Sequence, residues 1–261
     1  MSPRARAMIA GVLASVLLAG ATGCAQSVDP IERLGKKAAQ EVRKSRPHGP
    51  SKATYRRWGL PAPFAPAPKP PARRAVLTAG PGLPPVVDHV PTRDRVVFLT
   101  YDDGAERDPR FVDMVRELRL PVSMFLTNTV VGPGYGHFAR LRAVGATVQN
   151  HTLDHTSLRG LPYAGQRAEI CGQQDKLKQR FGIRPRLFRP PYGRYDTTTL
   201  RAAADCGLSA VVLGREAGPR RLRAGDILLG ADEPNGTKTM ARLLRRIQTQ
   251  GLTPARLEDY L

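Results

Sequence analysis

Residues 96–104 read V-V-F-L-T-Y-D-D-G: Val96, Val97, Phe98 and Leu99, then Thr100, Tyr101, Asp102, Asp103 and Gly104. Four apolar residues in succession fit a strand buried on both faces, as strands of parallel sheets are. The abrupt switch that follows delivers two carboxylates to a loop. In folds built from parallel strands and covering helices, ligands and catalytic groups gather at the C-terminal ends of the strands. Two adjacent acids there repel one another unless a cation sits between or beside them, and a metal ion is the obvious candidate. The plain alternative is an acidic turn, since Asp and Gly are common turn formers. Partners elsewhere in the chain decide between them.

From residue 96 onward, strands and helices alternate. Asp108-Pro109 is a good helix start, and Phe111, Val112, Val115 and Leu118 then repeat at helical spacing. Strands are predicted over residues 122–126, 146–149, 186–188, 209–213 and 227–229. Helices are predicted over 138–144, from 162 to 182, from 196 to 207 and over 240–247, with a terminal strand and short helix after them. Repeated strand-then-helix units predict an α/β fold with a parallel sheet, open or closed into a barrel.

The third predicted strand leads into H-T-L-D-H at residues 151–155. Histidines at i and i+4 share a face of a helical turn, a spacing suited to gripping one cation. A paired structural role, in capping or hydrogen bonding, is the alternative. Joined with one carboxylate of Asp102-Asp103, the pair gives two His and one Asp, which leaves coordination positions open for water and substrate, as a hydrolytic zinc site requires. The other Asp is then placed to take the proton of an attacking water. Arg189, which opens R-P-P-Y-G at 189–193, can hold that carboxylate ionised by pairing with it.

These three stretches, in this order, resemble the first three motifs of the polysaccharide deacetylases, carbohydrate esterase family 4, and the resemblance runs from about residue 86 to the C-terminus. It implies a distorted (β/α) barrel with fewer strands than the eightfold kind. It also implies metal-dependent removal of acetyl groups from an acetylated polysaccharide or peptidoglycan amino sugar, at C–N bonds or O-acetyl esters. By the same resemblance Asp102 matches the catalytic base, and Asp103, His151 and His155 match the ligands of one divalent metal, zinc being expected. Arg189 matches the arginine that orients the base, and the backbone N–H of Tyr192 matches an oxyanion donor.

The chain departs from the family in several places. Tyr101 replaces the usual phenylalanine and Ala105 the usual proline. Where the family carries Leu-x-His near its end, supplying a general acid, residues 227–232 read I-L-L-G-A-D, and no histidine follows His155. Residues 211–225 lack the family's Asp-Trp pair. Asp232 or Glu233 is the candidate substitute acid. The second reading is therefore a catalytically weak relative that binds carbohydrate or cell wall, although an intact Asp102 is something binding alone does not need.

Arg4 and Arg6, an apolar or small run over 8–21 and then Gly23-Cys24 lay out a secretory signal peptide over residues 1–23. Residues 18–24 resemble a bacterial lipoprotein signal, with Ala21 where leucine is usual, which implies lipid on Cys24 and a membrane anchor. The expected location is the extracellular face of the bacterial plasma membrane, or the medium. Export implies an oxidising environment, so Cys171 and Cys206 are disulfide candidates, with two small buried hydrophobes as the alternative. Residues 24–85 read as a basic tether with a short helix over 31–46 and a proline-rich spacer over 61–71, ahead of a catalytic domain over 86–261. The net charge of +19 is scattered along the chain. That pattern points to anionic headgroups or acidic cell-wall polymers as partners, with a solvated basic surface as the alternative, and, with no nucleic-acid motif present, away from nucleic acid.

Overall fold

The V-V-F-L-T-Y-D run forms strand β2 (Val96–Asp102) in the computed structural model, which describes residues 49–72, 79–103, 108–230 and 236–261. Its side chains alternate between two apolar layers, which is why the run carries no polar interruption. Val96 and Phe98 pack with Phe125, Val212, Ile227 and Tyr260. On the other face, Val97, Leu99 and Tyr101 meet helix residues such as Phe111 and Leu244.

The parallel sheet around β2 contains β1 (Val86–Val87), β3 (Val122–Leu126), β4 (Thr147–Asn150), β5 (Leu187–Phe188), β6 (Ala210–Val212), β7 (Arg215–Glu216), β8 (Ile227–Leu229) and β9 (Thr253–Ala255). Their spatial order is β1-β6-β5-β4-β3-β2-β8-β7, with β9 also paired to β2. Strands β6 and β7 lie near opposite ends of that order, yet only Leu213 and Gly214 separate them in the chain. The three steps from Val212 to Arg215 reach no further than about 11 Å, so the sheet has to curl until its edges approach. Across that seam His89 forms an isolated antiparallel bridge with Asp226. The result is a curled parallel half-barrel of the α/β class.

Among the described residues six helices flank it: α1 (Lys52–Arg57), α2 (Pro109–Leu118), α3 (Asn128–Ala143), α4 (Tyr163–Phe181), α5 (Thr197–Asp205) and α6 (Gly236–Thr249). Asp108 caps α2 through Arg110 N–H, and a capping box of Asp196 and Thr199 opens α5. Helix α3 starts well before the predicted Phe138, because Gly132, Pro133, Gly134 and Gly136 read as breakers. Burial of Val131, Phe138 and Leu141 overrides those local preferences. No helix of the described residues is long and apolar enough to cross a membrane.

The predicted tether needs correction. Residues 49–72 belong to the same compact unit as the sheet, which extends over His48–Leu261 rather than beginning at residue 86. Tyr55, Trp58 and Leu60 are buried in the layer shared with α2 and α6. Trp58 Nε1 donates to Glu117 Oε2 at 2.8 Å, and Arg245 Nη2 donates to the Gly59 carbonyl at 2.6 Å. A proline-rich segment lacks N–H donors but keeps its carbonyls, and here Gln248 and Thr253 side chains take those of Ala62 and Ala65. The signal peptide, Cys24 and the helix predicted over 31–46 lie outside the described residues.

Cys171, within α4, and Cys206, the C-cap of α5, form a disulfide with Cα atoms 5.0 Å apart and a sequence separation of 35. Closing a loop of that length restricts the unfolded chain, a contribution of roughly 3–4 kcal/mol. Cys171→Ser with Cys206→Ser is expected to lose about that much in urea unfolding. Added reductant should then have no further effect on the variant.

Candidate active site and metal centre

The C-terminal ends of β2, β3, β4 and β5 converge on one spot. Asp102 ends β2, and Asp103 follows with φ 52°. That left-handed turn is what separates the jobs of two adjacent acids. Asp102 shares a strand face with Thr100 and turns to Arg189, whose Nη1 donates to Asp102 Oδ1 at 2.5 Å and whose Nη2 donates to Thr100 Oγ1 at 3.0 Å. Asp103 Oδ1 instead accepts from the Thr127 N–H at 2.8 Å and the Thr127 hydroxyl at 2.7 Å.

His151, after β4, is buried, and its Nδ1 lies 2.8 Å from the Arg189 carbonyl. A carbonyl only accepts, so Nδ1 carries the proton and Nε2 keeps its lone pair for a ligand. Burial pushes the His151 pKa down against the opposing pull of Asp102, which keeps the ring neutral at pH 7. Its Nε2 is 3.8 Å from Asp102 Oδ2, a contact that is not an ion pair while the ring is neutral. His155 packs edge-on to both His151 and Tyr192, with ring centroids 4.8 Å apart in each case.

One carboxylate oxygen of Asp103 and one nitrogen each of His151 and His155 lie within 4.8 Å of one another. One hard oxygen donor, two imidazoles and a free Nε2 make a set that fits a divalent transition ion. The histidines do not share a helical turn, as their spacing suggested. Residues 151–155 form an irregular turn with φ 75° at Thr152 and 59° at His155. Hydrogen bonds over-determine it: Asn150 Oδ1 accepts from Thr152 N–H at 2.9 Å, and Glu169 Oε2 accepts from the Leu153 and Asp154 N–H groups at 3.1 Å each. Among the described non-glycine residues, five have positive φ; Asp103, Thr152, His155 and Tyr192 stand here, and Arg119 is a helix cap. Such strain, about 1–3 kcal/mol per residue, persists where the surrounding structure enforces it.

Thr127, Asn150 and Glu169 were not singled out by sequence. Thr127 carried one readable signal, a polar residue ending the apolar run of β3. Gly214 carries no signal in the sequence. A Cβ there would sit 2.9 Å from Arg189 Nη2 and 3.1 Å from its Cζ, so the guanidinium needs that residue bare. Gly214→Ala should push the guanidinium off Asp102 and lower kcat by up to about 100-fold, with metal content unchanged by elemental analysis. Asp232 and Glu233 lie outside the described residues, as does Ala105.

The polysaccharide deacetylase family pattern matches residues 89–211, a span holding all six of these candidate site residues, from Asp102 to Tyr192. The chain belongs to the polysaccharide deacetylase family, carbohydrate esterase family 4. Over 194 residues it is 62% identical to an uncharacterized protein of Streptomyces coelicolor, covering 69% of this chain and 78% of that one. A peptidoglycan-N-acetylglucosamine deacetylase of Bacillus cereus is 22% identical over 189 residues, 62% of this chain and 86% of that one. In fold, the chain is similar to a CE4 family pseudoenzyme from Bacillus anthracis, with TM-score 0.62 and 16% identity over 68% of this chain and 69% of that one. In this family member the match ends before residues 227–232, where the late histidine is missing.

Proposed function

We propose that this family member is a metal-dependent hydrolase that removes acetyl groups from an acetylated polysaccharide, with a peptidoglycan amino sugar at the cell surface as the favoured substrate. The observation that carries the reading is Asp102, a carboxylate held by Arg189 beside the Asp103, His151 and His155 donor set. Asp103, His151 and His155 would hold one divalent ion, zinc in this proposal. When bound, it supplies Lewis-acid polarisation of the acetyl carbonyl and lowers the pKa of water. Asp102 accepts the proton of the attacking water while Arg189 fixes its orientation. The Tyr192 N–H donates to the developing oxyanion, its direction set by the turn at φ 59°. The Tyr192 ring, 66% exposed, offers a face to a sugar. With no late histidine, the protonated Asp102 returns its proton to the leaving amine, or Asp232 or Glu233 does so. An O-acetyl ester would ask less of either, because an alkoxide leaves more readily than an amine.

The B. cereus relative named for peptidoglycan N-acetylglucosamine deacetylation supports the substrate class. The Cys171–Cys206 disulfide supports a place outside the cytoplasm. Export by residues 1–23 and a lipid on Cys24 complete the proposal.

A second reading, binding of carbohydrate or cell wall without efficient turnover, is favoured by the end of β8. There Gly230 leaves no side chain, and a Cβ on it would meet the Tyr101 ring at 1.9 Å. The two readings separate on acetate release from N-acetylglucosamine oligomers and acetylated xylan, with zinc, cobalt or no metal. The enzyme reading expects release that chelation stops and zinc restores. It also expects His151→Ala to weaken metal binding by more than about 100-fold, beyond the cost of losing a mere supporting contact. Stoichiometric metal with no release from any acetylated substrate would establish the second reading.

A further inference from the structure

Between β7 and β8 the chain passes through Arg220, Arg221 and Arg223, which with Arg215, His89 and Asp226 line a concavity of about 600 Å³ beside Gly214. Asp226 is already spent. Its carboxylate accepts from Arg215 and from the Arg223 N–H at 2.6 Å, and it faces His89 Nδ1 at 3.6 Å. Asp88, the other acid on the rim, is exposed and balances at most one more charge. The side chains of Arg220, Arg221 and Arg223 are exposed, and none has a hydrogen-bond or ion-pair partner among the described residues.

The loop that presents them is nonetheless firmly built. Arg246 donates to the carbonyls of Ala217 at 2.5 Å, Gly218 at 2.8 Å and Arg220 at 3.0 Å. Leu222 is buried, and its N–H donates to Gln250 Oε1 at 2.9 Å. A fixed backbone thus holds three uncompensated guanidinium groups around one recess. Like charges gathered this way repel, and an anion placed among them converts that repulsion into attraction without the entropy of ordering the loop. Every cation in the loop is arginine, whose planar fork pairs with two oxygens of one oxyanion at once.

We propose that this recess, which adjoins the acetyl-removing centre at Gly214, binds the phosphate groups of an anionic polymer carrying phosphodiesters. A lipid bilayer fits it less well. The surface is concave, and the large exposed apolar side chains among the described residues, Tyr135, Tyr163 and Tyr192, all lie elsewhere.

The test is calorimetric titration of the full chain with poly(glycerol phosphate), comparing Arg220→Gln/Arg221→Gln/Arg223→Gln with Lys52→Gln/Lys176→Gln/Lys178→Gln. The second triple variant removes the same charge from exposed positions elsewhere. At up to about fivefold per exposed pair, the arginine variant should bind roughly ten- to a hundredfold more weakly, and the lysine variant within about twofold of the parent. Thermal melting checks that both are folded. Equal weakening in the two variants would mean general charge attraction and overturn the site. So would absent binding, equal affinity for polygalacturonate, or preferential binding of phosphatidylglycerol vesicles. Because binding is read without turnover, a chain that releases no acetate leaves this result standing.

Discussion

Asp102→Asn is expected to lower kcat for acetate release by roughly 10²- to 10⁴-fold, the usual cost of losing a general base, while zinc content stays at the parent level. Asparagine has nearly the same shape, and its amide oxygen can still accept from Arg189 Nη1. What it cannot do is carry a proton away from water. Metal retention follows because Asp102 turns to Arg189, whereas Asp103 is fixed separately by Thr127. KM should change little, since the lost interaction forms only as the water is deprotonated. Kinetics on N-acetylglucosamine oligomers, with metal content measured on the same sample, check both halves. Retention of more than about a tenth of the parent kcat would remove Asp102 from the base role.

The loss should fall at the upper end of that range because of what this chain lacks. Where a second residue supplies the acid, removing the base leaves leaving-group protonation intact. Here the end of β8 carries Gly230 against the Tyr101 ring, and no histidine follows His155. Where Asp102 rather than Asp232 or Glu233 returns the proton, one carboxylate manages it in both directions, and a single amide substitution blocks two steps.

How much of this was legible depended on whether the signal was local. The strand at residues 96–102 announced itself because both its faces are buried, and the buried run ended at two acids. The order of three motifs announced the family. The geometry within 151–155 could not be read the same way. Spacing i, i+4 fits a helical turn, but Asn150 and Glu169 hold the loop in another path. Glu169 is remote from His155 in sequence, and nothing local marks it as a partner of that turn. Gly214 was equally silent, because its importance is the space it leaves for Arg189. Strands of two residues, such as β1 and β7, are too short to carry a period. They are held by the curl of the sheet.

The proline-rich N-terminal segment conceals its packing for a similar reason, and a second large effect follows from it. Trp58→Ala is expected to destabilise the domain by about 3–5 kcal/mol, the range for deleting a large buried aromatic. For a unit of this size that corresponds to a fall in Tm of about 6–20 °C. Composition predicted a spacer because prolines predominate, yet Tyr55, Trp58 and Leu60 supply a buried apolar face, and Trp58 also donates to Glu117 on α2. Removing residues 49–72 altogether should cost more than the single substitution, because it also uncovers the faces of α2 and α6 beneath them. Acetate release per folded molecule should stay unchanged in Trp58→Ala, since the segment packs on helices away from the strand ends that carry Asp102 and His151. Melting curves of the full chain, Trp58→Ala and a chain beginning at residue 86 decide the matter. Equal transitions in all three would return these residues to the role of a tether. A stepwise loss from the first to the last would establish that the domain begins near residue 48, ahead of its first strand.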